Sequence, residues 1–312
     1  MEYHLHGLAD IENNTAVTAK TLFEIGSVTK PLVALAALRQ VQAGHWQLQQ
    51  PVSTLTDTPE LATHSYTLAD LLTHRSGLPR LPGNFVTELT NEGDPAASAT
   101  RTANPYARYD SKALLAAAGS QEFSDRHYSY SNYGYGLLGY LLAQQQQKLD
   151  AVLQEQVFRP LGMKTARLQR PHQHYSPLAE GYALGAGKVP HWQFGALAGA
   201  GAVLASVSDM ASMLQTVLRQ PQQDKAMQLW LTPLVVDSEP KMTPGWMLQD
   251  GIYWHAGQTA GFCSFVGFDL QSQSGIVILT NLALPVSTQG FMLLQQWQET
   301  HQAADNTELN KG

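Results

Sequence analysis

A single cysteine, Cys263, leaves the chain without an intrachain disulfide and without the thiolates for a multi-cysteine metal site. Charge is sparse too. Asp, Glu, Lys and Arg make up 14% of the 312 residues, with 19 basic against 25 acidic side chains and a formal charge of −6. The basic residues are scattered, with no cluster to neutralise a run of phosphates and no zinc-finger or RNA-binding pattern, so no nucleic-acid partner is expected. No apolar run is long enough for a transmembrane segment. The opening residues, MEYHLHGLADIENN, lack the basic region and apolar run of a secretory signal. The expectation is a cytoplasmic protein, or a periplasmic one if the true N-terminus lies upstream. Eleven histidines include pairs spaced by two, His4/His6 and His172/His174, but no H-E-x-x-H and no third ligand accompanies them. Neither a metal nor another cofactor is expected.

What the chain does have is apolar content, 44% of residues, enough for a sizeable core. YHLHGLA at 3–9 alternates like a short strand. Apolar residues from Val28 to Val41 cover most of a helix, which should be buried, with Gly44 as its C-terminal cap. TLADLLTH, SKALLAAAG, SNYGYGLLGYLLAQQQQ and LDAVLQEQVF have helical spacing, while LPGNF and NEGDP break the chain. SDMASMLQTVLRQ reads as another helix with Ser208 as N-cap. Three strands follow, GIYWHAGQ, GFCSFVGFDL and GIVILTN, then a closing helix near 288–302 and a polar tail over 304–312. The fold class is therefore α+β, an antiparallel sheet flanked by helices plus a mainly helical inserted lobe. One domain is expected over 1–312, its α/β lobe from about 1–45 and 196–303 and its helical lobe from about 46–195. Strands at both ends imply one sheet assembled from the two termini, with a cleft between the lobes.

The stretch FEIGSVTKPLVALAAL sets Ser27 and Lys30 one helical turn apart. A serine hydroxyl is a weak nucleophile until a base takes its proton, and a lysine at i+3 lies on the same face. Lysine can be that base only when burial or a nearby positive dipole lowers its pKa. The helix N-terminus also favours an anion developing there. By itself S-x-x-K is an ordinary helix start. Two further motifs accompany it: Tyr130-Ser131-Asn132 at the mouth of a helix, and His255-Ala256-Gly257 on a strand. Tyr130 alone also fits aromatic packing, Asn132 a helix N-cap and His255 an ordinary strand position. His74 and Ser76 in LLTHRSGLP read as a helix end with a glycine cap rather than as a catalytic pair.

Ser27-x-x-Lys30, Tyr130-x-Asn132 and His255-x-Gly257, in this order, resemble the three motifs of the serine β-lactamase and penicillin-binding hydrolases, especially the class C-like branch of D-alanyl-D-alanine carboxypeptidases, peptidases, carboxylesterases and acyltransferases. TLFEIGSVTK, TLADLLTHRSGLP, YSNYGYGLLG, VFRPLGMKTA and HAGQTAGF match in wording and order, and the similarity covers about residues 3–282. The resemblance implies that Ser27 is acylated, that Lys30 takes its proton and that Tyr130 is the second proton-transfer group. It further implies that the Asn132 amide meets the substrate carbonyl, that the Ser27 and Gln258 N–H groups hold the oxyanion, and that Gly257 admits the substrate to the strand edge. Expected substrates are small esters, peptides or β-lactams, processed by an esterase or carboxypeptidase-like enzyme. The alternatives are acyl transfer by the same machinery and a non-catalytic penicillin-binding or sensor domain. Two departures stand out. His255 replaces a lysine that helps hold a β-lactam's carboxylate, which points away from efficient β-lactam hydrolysis, and fewer residues precede Ser27 than in relatives. PYARY and HWQFGALAGAG suggest an apolar acyl pocket.

Overall fold

The computed structural model describes residues 1–85, 104–121, 126–146, 148–170, 173–219, 224–235 and 239–309. NEGDP, His172 and the last three residues lie outside them. β1 (Leu8–Asp10) and β2 (Thr15–Ala16) pair as a small hairpin. β3 (Leu22–Glu24) then runs through one 3-10 turn, Gly26–Val28, into α1 (Thr29–Gln42). Pro31 falls in the first turn of α1, where a missing N–H breaks no helical bond. Ala34 to Leu38 are strong helix formers with every side chain buried, so α1 is a core helix without a solvated stripe. Leu32, Val33, Leu35 and Leu38 are each fully buried, worth about 1.5–3 kcal/mol apiece. Gly44, at φ +77°, ends the helix as expected.

A helical stretch follows: α2 (Leu68–Leu72), α3 (Ser111–Gly119), α4 (Asn132–Gln146) and α5 (Leu149–Leu153), the last continuing into a π turn at Gln154–Phe158. Thr67 and Asp70 form a capping box on α2, and Asp110 caps α3. The short strands β4 (Arg167–Leu168), β5 (Gly181–Ala183) and β6 (Gly187–Val189) come next, then α6 (Ala198–Gly201) and β7 (Val203–Ser206). α7 (Val207–Leu218) starts two residues earlier than the sequence suggested. Its N-cap is Ser206, boxed with Asp209, whereas the Ser208 hydroxyl donates to the Ala19 carbonyl.

After α8 (Lys225–Trp230), a five-stranded antiparallel sheet forms from β8 (Lys241–Met242), β9 (Met247–Gln249), β10 (Ile252–Gln258), β11 (Cys263–Asp269) and β12 (Ser274–Thr280) in the order β12-β11-β10-β9-β8. α9 (Ser287–Leu309) closes the fold and carries on into the expected polar tail. β11 is buried on both faces. Gly267 and Phe265 face α9 through Leu294 and Phe291, while Val266 and Phe268 join the core of α1 and α7.

The fold class is as read, with helices on an antiparallel sheet, but the sheet is not shared between the termini. All five of its strands come from residues 241–280, and β3 instead joins β7 and β4 in a separate three-stranded sheet, order β3-β7-β4. The strand expected over 3–9 shrinks to residues 8–10. Tyr3 and Leu5 are 40% and 41% exposed, so the alternation has no face to bury, and Gly7 at φ +82° turns the chain. Just past β12, the Asn281 amide donates to the Leu8 carbonyl of the N-terminal hairpin at 3.1 Å.

Candidate active site

Ser27 sits in the 3-10 turn that joins β3 to α1, and Lys30 in the first turn of that helix. The turn is pinned from the other side of the site by the end of β10. A Cβ on Gly26, whose φ is +50°, would lie 2.7 Å from the Gln258 nitrogen, and a Cβ on Gly257 would lie 2.0 Å from the Ile25 carbonyl oxygen. Glycine is required at both positions so that the two backbones can meet. The Ser264 hydroxyl, on β11, stitches the junction by donating to the same Ile25 oxygen at 2.8 Å. Gly257 therefore accommodates the protein's own chain, where the resemblance assigned its small size to the substrate.

The Lys30 side chain is completely buried. Its amine lies 3.1 Å from the Ser27 hydroxyl oxygen and donates to the Ala200 carbonyl in α6 at 2.7 Å. Among the described residues no carboxylate pairs with it. Burial holds the amine well below the usual lysine range, and the Arg80 charge pushes the same way. Disfavouring the charged form in this way makes the Lys30 amine a better acceptor for the serine proton. The Tyr130 ring stands 4.8 Å from that amine, and its phenol is close enough to Ser27 to feel the hydroxyl. Burial nonetheless pushes the phenol well above its ordinary value, so it is a neutral O–H rather than a phenolate.

Tyr130 and Asn132 flank Ser131, which is the N-cap of α4: its hydroxyl accepts from the Gly134 N–H at 2.9 Å and donates to the Pro79 carbonyl at 2.7 Å. Asn132 is thus not the cap. It is 8% exposed, its side-chain oxygen has no partner, and it lines the cavity. His74, in the segment after α2, accepts the Ser131 N–H on Nδ1 at 3.0 Å and packs its ring against Tyr130 and Tyr135, at 4.5 and 5.0 Å between centroids. His74 itself has φ +58°, so the left-handed residue that ends α2 is the histidine rather than the glycine expected there.

His255, on β10, donates from Nδ1 to the Ala256 carbonyl at 2.8 Å. Its Nε2 is left as an unpartnered buried lone pair on the cavity. Burial first, and the Lys30 charge second, bring its pKa down to about 3, so it is neutral throughout the physiological range. Gln258, the last residue of β10, lines the cavity beside Ser27. All the sequence-derived residues except the sealed Lys30 border this one cavity of about 680 Å³.

Its opposite wall is aromatic. Tyr106 stacks on Phe194 at 5.0 Å and meets Trp192 edge-on at 5.1 Å, so PYARY and HWQF form one cluster. The 191–194 segment is held by Asn104, whose amide bridges the His191 carbonyl and the Gln193 N–H, and by Glu24, which accepts from His191 and from the Trp192 N–H. The sequence reading did not single out Arg80 or Glu24, and it read His74 as purely local. Among the described residues no group of three His, Cys, Asp or Glu is placed to hold a metal ion, and no helix is long and apolar enough to cross a membrane. Cys263 is buried.

A family model described as Beta-lactamase matches residues 1–295. The chain belongs to the beta-lactamase family. Among individual members it is similar to a protein named Beta-lactamase from Pseudomonas fluorescens, 26% identical over 91% of this chain and 86% of that one. It is 28% identical to the Unguisins hydrolase ungD' of Aspergillus campestris, over 89% of this chain but only 57% of the relative. A 77-residue stretch is 47% identical to Esterase EstB of Burkholderia gladioli, covering 23% of this chain and 20% of that protein. The similar proteins thus carry several activity names.

Proposed function

We propose that the protein is an acyl-serine hydrolase acting on small esters or amides, with Ser27 as nucleophile. Family membership and relatives named beta-lactamase, esterase and hydrolase support a hydrolase. The observation that carries the finer reading is the buried, carboxylate-free Lys30 amine, 3.1 Å from the Ser27 hydroxyl at the foot of an open cavity.

The serine oxygen attacks the carbonyl carbon as its proton passes to the neutral Lys30 amine. The carbonyl π electrons move onto oxygen, where the Ser27 and Gln258 N–H groups receive the charge. Collapse of the adduct breaks the bond to the leaving group, which takes a proton from the Tyr130 hydroxyl, and Tyr130 recovers one from Lys30. Water then attacks the acyl-enzyme by the same route and restores the free serine. Asn132 offers its amide to the acyl portion. The neutral His255 supplies no positive charge where the third motif would meet a β-lactam's carboxylate, which disfavours β-lactams but leaves open a carboxylate held elsewhere in the cavity.

The test is release of p-nitrophenol from the acetate and butyrate esters, run beside labelling with a fluorescent penicillin, on wild type and Ser27→Ala. Ser27-dependent ester turnover with little stable penicillin adduct is expected. Equal activity in Ser27→Ala would overturn the assignment.

A further inference from the structure

The cavity contains no acidic lining residue among those described and borders a single charged side chain, Arg80. The other candidates for positive charge there are silent: Lys30 is sealed below Ser27 with its pKa driven down, and His255 is neutral. Arg39, Arg126, Arg159 and Arg170 each face a carboxylate. Arg80, exposed at the cavity wall, has no carboxylate partner among the described residues.

Its position is also built rather than incidental. The Arg80 carbonyl accepts the first two N–H groups of α4, from Asn132 at 2.9 Å and Tyr133 at 3.2 Å, which locks this residue to the element that carries Tyr130 and Asn132. The guanidinium then lies 5.2 Å from the centroid of the Tyr130 ring, the ring that also neighbours the Lys30 amine at 4.8 Å. A guanidinium beside the Tyr130 ring, on a residue whose backbone is held by α4, is placed to attract an anion into the cavity.

We propose that Arg80 is the specificity-determining cation of this cavity and that the enzyme's substrate carries a carboxylate, which pairs with Arg80 while the scissile carbonyl meets Ser27. This rests on the acyl-serine reading above. One guanidinium, the single charged side chain among the described lining residues, matches a single negative charge rather than the two of a phosphate. The carboxylate could belong to the acyl part or to the leaving group, and the two sources are separable.

The experiment compares mono-4-nitrophenyl adipate with its neutral methyl ester, for a carboxylate on the acyl side, and 4-acetoxybenzoate with methyl 4-acetoxybenzoate, for one on the leaving group. In at least one pair the wild type is expected to prefer the carboxylate form in kcat/KM by about tenfold or more, and Arg80→Gln to cut that preference by about ten- to hundredfold, the range of a charge-assisted hydrogen bond. Arg80→Lys should keep part of it, and added salt should weaken it, because the pair is solvent-accessible. No carboxylate preference in either pair, or a preference that survives Arg80→Gln, would overturn the proposal. Calorimetric binding of the same four esters to Ser27→Ala reads the Arg80 effect without turnover. A preference seen in binding but no Ser27-dependent release would therefore uphold Arg80 and refute the acyl-serine chemistry.

Discussion

Replacing Lys30 with methionine exchanges a buried amine for an apolar chain of similar length, and the result depends on pH in a way that reports the amine's charge. In the unfolded chain Lys30 binds a proton up to its ordinary pKa of 10.5; in the folded protein burial holds it well below that. Between those two values the unfolded state carries one more proton than the native state, so wild-type stability rises with pH across this window. Its slope from this residue is about 1.4 kcal/mol per pH unit, the value for one proton. The Lys30 contribution is complete above 10.5 and is lost as pH falls toward the folded pKa. Lys30→Met has no such dependence. Urea unfolding of both proteins between about pH 8 and pH 10 should show the variant more stable at the lower end, with its advantage shrinking by nearly that amount per unit as pH rises. Because all other groups are common to the two proteins, the difference isolates Lys30. Parallel stability curves would mean that Lys30 stays protonated in the native state, and the neutral-base argument would fail with it.

Tyr130→Phe keeps the ring against His74 but removes the relay hydroxyl; acylation measured by the p-nitrophenol burst should slow by about 10²-fold or more, with unfolding little changed. Gly257→Ala places a methyl against the Ile25 carbonyl, so the β10 end must move away from the Ser27 turn, and both ester turnover and Tm should drop. His74→Ala strips the Ser131 N–H of its acceptor and opens a void under Tyr130; a stability loss of about 2–4 kcal/mol in urea is expected, and an unchanged midpoint would contradict the role given to it.

The placement of the candidate site residues was largely legible because spacing carries it. The i, i+3 relation of Ser27 and Lys30 needs only a helix, and the apolar run behind them allows no other element. The helices over 111–119 and 132–146 and the strands β10 to β12 were likewise set by local periodicity. Pairing partners were not legible. Nothing local in Leu22–Glu24 says that it joins Val203–Ser206 rather than the C-terminal strands, since that choice is made by packing across nearly the whole chain. The Ser206-x-x-Asp209 box was present in the sequence but lay hidden behind the neighbouring Ser208. The left-handed turn at His74 was invisible for another reason: a non-glycine residue takes φ +58° only where tertiary contacts, here with Ser131, Tyr130 and Tyr135, hold it. Arg80 escaped notice because a lone arginine in a loop gains meaning only beside a cavity that lacks other charge.

The most direct measurement is the site of covalent modification. After brief reaction with p-nitrophenyl butyrate and acid quench, peptide mapping by mass spectrometry should find the butyryl group on the peptide that contains Ser27, absent from Ser27→Ala and much reduced in Lys30→Met. An acyl group carried elsewhere in the chain, or one that persists when Ser27 is replaced, would contradict the account.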